Sequence, residues 1–71
     1  MAEQDIKQQV ANLIRETRKE KGLTQKELGA KLGIGEFRVN RYENGKTNPT
    51  IETLQEIFAA LGATIHVVVK R

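Results

Sequence analysis

The stretch Leu32-Gly33-Ile34-Gly35 limits what this chain can fold into more than any other. Two glycines in four residues interrupt a helix, yet helical patterns run up to this point and away from it. Leu28 and Leu32 are one turn apart and share a face of the helix before the break. Val39 and Tyr42 share a face of the helix after it. Gly33 suits the left-handed position that closes a helix, where a side chain would clash. Ile34 is placed to drop into the core beside the turn. Two short helices are therefore expected, set at a fixed angle by a glycine joint.

The flanks agree with this reading. Thr24 has the residue type of an N-cap and Glu27 stands three positions later, which makes a capping box. Gln25 follows in the first helical turn. A small residue, Gly29, lies mid-helix, and Tyr42-Glu43-Asn44-Gly45-Lys46 closes the second helix. Gln25, Gly29, Gly33, Val39 and that closing run, in register, resemble the helix-turn-helix of the phage-repressor and Cro-like regulators, the xenobiotic-response-element group. The resemblance covers about residues 14–61. It implies an all-α, four- to five-helix, lambda-repressor-like DNA-binding domain over residues 1–62, and residues 63–71 are expected to follow as a short C-terminal dimerisation strand. Gly29 departs from the alanine usual in the family. A close helix–helix approach is one explanation and simple tolerance the other, because glycine costs about 0.5–1 kcal/mol against alanine in a helix.

The helix over about residues 36–44 is the candidate recognition helix. With Val39 and Tyr42 turned inward, Glu36, Phe37, Asn40 and Arg41 must face outward, with Arg38 on one flank. An α-helix fits the major groove, where arginine reads guanine O6 and N7 and asparagine reads adenine. Arg41 and Asn40 are the candidates for those roles, and Arg38 suits phosphate equally well. Glu36 can accept from cytosine N4 or simply favour a helix start. Phe37 can press on a thymine methyl or meet a protein partner. The resemblance implies phosphate contacts for Gln25, with Thr24 at the same helix start, and for Asn44, Lys46 and Asn48 in the connector. A plain solvated loop is the alternative for the connector. Arg18 is either a solvated charge or, as the family often has it, the partner of Glu43.

Composition narrows the classes. A chain of 71 residues suits one domain, and at this size only about 60% of the unfolded chain's surface is buried. With no cysteine, neither disulfides nor thiolate-bound metal can staple it. Tight helix packing or a second subunit must serve instead. No apolar run approaches the ~20 residues of a membrane span, and the start Met1-Ala2-Glu3-Gln4-Asp5 does not suit a signal peptide. A cytoplasmic protein is expected. The formal net charge of +3 fits ordinary solubility as well as nucleic-acid binding. One histidine, no phosphate-cradling glycine loop and no isolated carboxylate pair argue against an enzyme. Neither metal nor cofactor is expected.

The first helix is expected over about residues 5–21, its inner face formed by Ile6, Val10, Leu13 and Ile14 and its end set by Gly22. Leu23 is a core anchor. Pro49 ends the connector, Thr50 caps the last helix, and Ile51, Leu54, Ile57, Phe58 and Leu61 form its apolar face up to Gly62. The tail then changes period. Thr64-Ile65-His66-Val67-Val68-Val69 is β-branched and reads as a strand, with Ile65, Val67 and Val69 on one face. No second strand pattern exists in the sequence to pair with it. The economical partner is its own copy across a twofold axis, as in some antitoxin-type members of the group. A homodimer with Ile65, Val67 and Val69 at the interface is therefore expected, with a disordered tail as the alternative. His66 would point away from that face.

The function these features imply is a sequence-specific transcriptional regulator, a repressor by expectation. It would bind double-stranded DNA as a homodimer on a pseudopalindromic operator. The alternative is an antitoxin that binds a toxin protein and represses its own operon.

Overall fold

The computed structural model describes residues 5–71; the first four residues of the acidic opening, and the signal-peptide reading that rests on them, lie outside the described residues. Four helices follow in chain order: α1 (Ile6–Glu20), α2 (Gln25–Leu32), α3 (Glu36–Glu43) and α4 (Ile51–Ala60). Their starts are written in short side chains. The Asp5 carboxylate accepts from the Gln8 N–H at 2.9 Å. Thr24 Oγ1 accepts from the Glu27 N–H at 3.0 Å while Glu27 Oε1 accepts from the Thr24 N–H at 2.8 Å, so both halves of the capping box form. Thr50 Oγ1 accepts from the Thr53 N–H at 3.0 Å.

The joint between α2 and α3 turns on Gly33, which sits at φ 73°, ψ 25°. The Ile34 N–H then reaches back to the Gly29 carbonyl at 2.9 Å, which satisfies an end-of-helix acceptor and folds Ile34 under the turn. Gly29 is buried, and its lack of a side chain is used. A Cβ there would stand 2.8 Å from the Ile34 backbone oxygen and 3.2 Å from the Gly35 carbonyl carbon. Close approach of α2 to the joint, rather than tolerance, accounts for glycine at this position.

The core gathers Ile14, Leu28, Val39, Tyr42, Ile57, Phe58 and Leu61, with Val10, Leu23, Leu32, Ile34, Leu54 and Ile65 packed around it. Two expectations for the inner faces need correction. On α1 the inward side is Ala11, Ile14 and Arg18, whereas Ile6 is 69% and Leu13 52% exposed. On α4, Ile51 is 75% exposed. Ile6 and Ile51 instead rim an open apolar groove of about 390 Å³, floored by Val10, Tyr42 and Leu54. The helix face turned to the core is rotated from the apolar average because a buried arginine occupies part of it.

The expected C-terminal strand is absent from the fold: among the described residues there is no strand, and residues 63–71 carry no regular structure. β-branched composition cannot make a strand without a partner for its backbone groups, and the single chain supplies none. Ile65 is half-buried on the chain's own core, whereas Val67, Val68 and Val69 are exposed. The tail face is thus split.

Candidate nucleic-acid interface

The inner side of α3 is held by more than packing. Glu43, only 1% exposed, lies at its last turn. A bare carboxylate at such burial would be costly. It receives Arg18 Nε at 2.6 Å and Arg18 Nη2 at 2.9 Å, one on each oxygen. Gln25 Nε2 donates to the same carboxylate at 3.1 Å. Arg18 spends Nη1 on the Leu23 carbonyl at 2.7 Å. The bonds to Glu43 raise the Arg18 pKa above its ordinary value against the opposing effect of burial, so the guanidinium stays charged. One ion pair therefore ties α1, the loop before α2, the first residue of α2 and the end of α3 together. No buried side-chain polar atom among the described residues is left unpaired.

The outer side of α3 is open. Glu36, Phe37, Arg38 and Arg41 are exposed, and Phe37 is 72% so. Asn40 is half-buried and engaged: its Nδ2 donates to Gln25 Oε1 at 3.4 Å, and its Oδ1 accepts from Asn44 Nδ2 at 2.9 Å. Gln25, Glu36, Phe37 and Asn40 line one shallow open depression of about 300 Å³ between the starts of α2 and α3. The start of α2 and the outer side of α3 thus form a continuous surface. Gly35, the N-cap of α3, offers no side-chain bond to the first turn.

Two helices joined by a left-handed glycine, with the second locked by its inner face and bare on its outer one, find close counterparts among known proteins. The helix-turn-helix model HTH_3 matches residues 14–68. This chain belongs to the HTH_3 helix-turn-helix family. An uncharacterised HTH-type transcriptional regulator, y4dJ, from Sinorhizobium fredii is 38% identical over 60 residues, covering 84% of this chain and 78% of that protein. The Escherichia coli antitoxin HipB is 36% identical over 53 residues, covering 75% of this chain and 60% of the antitoxin. In the solved HipB–O4 20mer complex, HipB superposes with a TM-score of 0.78 at 27% identity, with all of both chains covered. The clp gene regulator ClgR from C. glutamicum superposes with a TM-score of 0.84 at 25% identity, over 90% of this chain and 82% of that one. The family is one of DNA-binding transcription regulators, not enzymes.

In this helix-turn-helix protein the remaining residues fall as follows. Thr24, Asn44, Lys46 and Asn48 are exposed. Gln25 is half-buried, and its amide is shared between Glu43 and Asn40. Thr47 was not picked out by sequence pattern, yet its Oγ1 accepts from Arg41 Nε at 2.9 Å. The Arg41 guanidinium carbon also lies 5.8 Å from the centre of the Phe37 ring. Phe37 at one turn's spacing was a readable hint; Thr47 had none, because the connector's path decides it. No helix among the described residues is long and apolar enough to cross a membrane, and no cluster of metal-binding side chains is found among them.

Proposed function

We propose that this helix-turn-helix protein is a sequence-specific repressor that works in the cytoplasm as a homodimer on a pseudopalindromic operator. One observation carries the reading. Val39, Tyr42 and Glu43 bury one side of α3, while Glu36, Phe37, Arg38 and Arg41 are exposed on the other. In this reading Arg41, Asn40, Glu36 and Phe37 meet base edges, while Thr24, Gln25, Arg38, Asn44, Lys46 and Asn48 meet phosphate. Gln25 and Asn40 already hydrogen-bond each other, so they would reach DNA as a pair rather than singly.

Dimerisation is supported by the exposure of Val67 at 86% and Val69 at 72%, on a β-branched tail that forms no regular structure with its own chain. Pairing of two tails, antiparallel about a twofold axis, would cover them. Ile65, half-buried on its own core, would anchor the start of each tail. Two α3 helices in such a dimer would read half-sites about 34–36 Å apart.

Selection of bound sequences from random duplexes tests the DNA reading, since it reports binding, spacing and symmetry at once. A twofold-symmetric motif is expected; no enrichment would sink it. Removal of residues 64–71 tests the dimer. Monomers at micromolar concentration are expected, and dimers that persist would place the interface elsewhere.

A second reading is favoured by the likeness to HipB, which is named an antitoxin and is solved in a HipA–HipB–O2–O3 complex. On this reading the chain also binds a toxin protein through a folded surface and represses its own operon. Co-purification of a small protein encoded beside it is the expected result.

A further inference from the structure

Arg41 is exposed, yet its side chain is tethered twice. A long cationic side chain in water ordinarily samples many rotamers. Here Nε donates to Thr47 Oγ1 at 2.9 Å, and the guanidinium lies 5.8 Å from the centre of the Phe37 ring. The two tethers come from different elements. Phe37 is one turn earlier on α3, at the spacing that brings side chains together. Thr47 arrives from the connector, which folds back because the Lys46 N–H bonds the Arg41 carbonyl at 3.0 Å. Gly45, at φ 72°, makes that reversal possible.

We propose that Thr47 and Phe37 are positioning residues that pre-set Arg41 to read guanine. The inference rests on the reading of α3 as the DNA-facing helix. Arginine carries five N–H donors, and the one on Nε is spent on Thr47. An approach to guanine through Nε and one terminal nitrogen is therefore closed. The edge formed by Nη1 and Nη2 remains, and it matches O6 and N7 of guanine. An aromatic ring against the guanidinium steadies it by cation–π attraction without consuming a donor. Ordering the side chain before DNA arrives reduces the entropy lost on binding. Phe37, although exposed, acquires a role that asks nothing of a protein partner.

The test uses a duplex enriched by selection and a scrambled duplex of equal length, with affinities read by fluorescence anisotropy. Thr47→Val keeps the shape and removes the hydroxyl. It should weaken the enriched duplex about 5–10-fold and leave the scrambled one within about twofold, as expected for a lost hydrogen bond that served only the specific contact. Thr47→Ser, which keeps the hydroxyl, should restore binding. Phe37→Leu should cost about 3–5-fold on the enriched duplex, and Phe37→Tyr should not, because only an aromatic ring supplies the cation–π contact. In an Arg41→Ala background Thr47→Val should cost nothing further. Replacement of the contacted guanine by 7-deazaguanine should penalise the natural protein more than Thr47→Val.

Equal losses on both duplexes would make Thr47 a phosphate contact and overturn the inference. So would a loss that persists in the Arg41→Ala background. An enriched motif insensitive to Arg41→Ala would overturn the clamp and leave DNA recognition standing. Absence of any enriched motif would remove both.

Discussion

Arg18 and Arg41 are the same residue type put to opposite uses. Arg18 is 9% exposed, and its donors go to both oxygens of Glu43 and to the Leu23 carbonyl. Arg41 is exposed, with one donor on Thr47 and its face toward Phe37. Burial explains the difference. A buried guanidinium must have its charge and each of its nitrogens met, because each unmet charge or polar group carries its full desolvation cost. An exposed one is satisfied by water and can exchange that water for a ligand. The buried arginine therefore fixes where α3 lies, and the exposed one keeps its terminal donors open to a ligand.

The largest expected effect comes from breaking the buried pair. Glu43→Ala leaves the Arg18 charge in the interior and strips a partner from Gln25 as well. A cost of about 3–5 kcal/mol is expected, measured by urea unfolding. For a small domain that is a large fraction of its stability. A loss below about 1 kcal/mol would mean the pair behaves as a surface salt bridge, and the contrast with Arg41 would fail.

Gly29→Ala should come next. Helix propensity alone predicts a gain of about 0.5–1 kcal/mol. The added Cβ would meet the Ile34 backbone oxygen at 2.8 Å, and backbone yields little. Overpacking of this kind typically costs about 1–3 kcal/mol. Propensity and packing thus predict opposite signs, and the unfolding midpoint decides between them. Stabilisation would show that α2 can shift away from the joint, so that the seat of α3 is not rigid.

Arg41→Ala should leave the unfolding midpoint nearly unchanged and act on DNA instead. A good bidentate contact to guanine is worth about 1–3 kcal/mol of discrimination, so binding to a selected operator should fall by roughly 5–150-fold. Scrambled duplex should lose far less. Equal loss on both would place Arg41 on phosphate and erase the division of labour between the two arginines.

How much of this was legible depended on how local the deciding interaction was. The capping box of Thr24 and Glu27, the joint at Gly33 and the cap at Thr50 are settled by residues within a few positions, and sequence reading located them within a residue. The inner face of α1 was misjudged because apolar spacing cannot count a charged residue as interior. Arg18 belongs there only because Glu43, 25 positions away, neutralises it. The pairing itself entered through family resemblance, not through periodicity. Ile6 and Ile51 looked like core residues, yet they lie where the starts of α1 and α4 leave an open groove. Thr47 was invisible because its meeting with Arg41 depends on the path of the connector after Gly45. The tail failed for a related reason: β propensity names a conformation, but a strand exists only in a pair.

The smallest effect should come from the connector's cation. Lys46 is exposed, and its backbone N–H rather than its side chain is tied to the Arg41 carbonyl. Lys46→Ala should therefore hardly move stability. If the ammonium sits on phosphate, the variant should bind selected and scrambled duplexes with similar modest losses. The slope of log affinity against log salt should also shrink by about one unit. That pattern differs from Arg41→Ala in kind, because it removes charge without removing information. An unchanged salt slope would take Lys46 off the DNA backbone and leave phosphate contact to Arg38 and the start of α2. A loss confined to the selected duplex would mean that Lys46 works through the connector, by loosening the segment that carries Thr47 to Arg41.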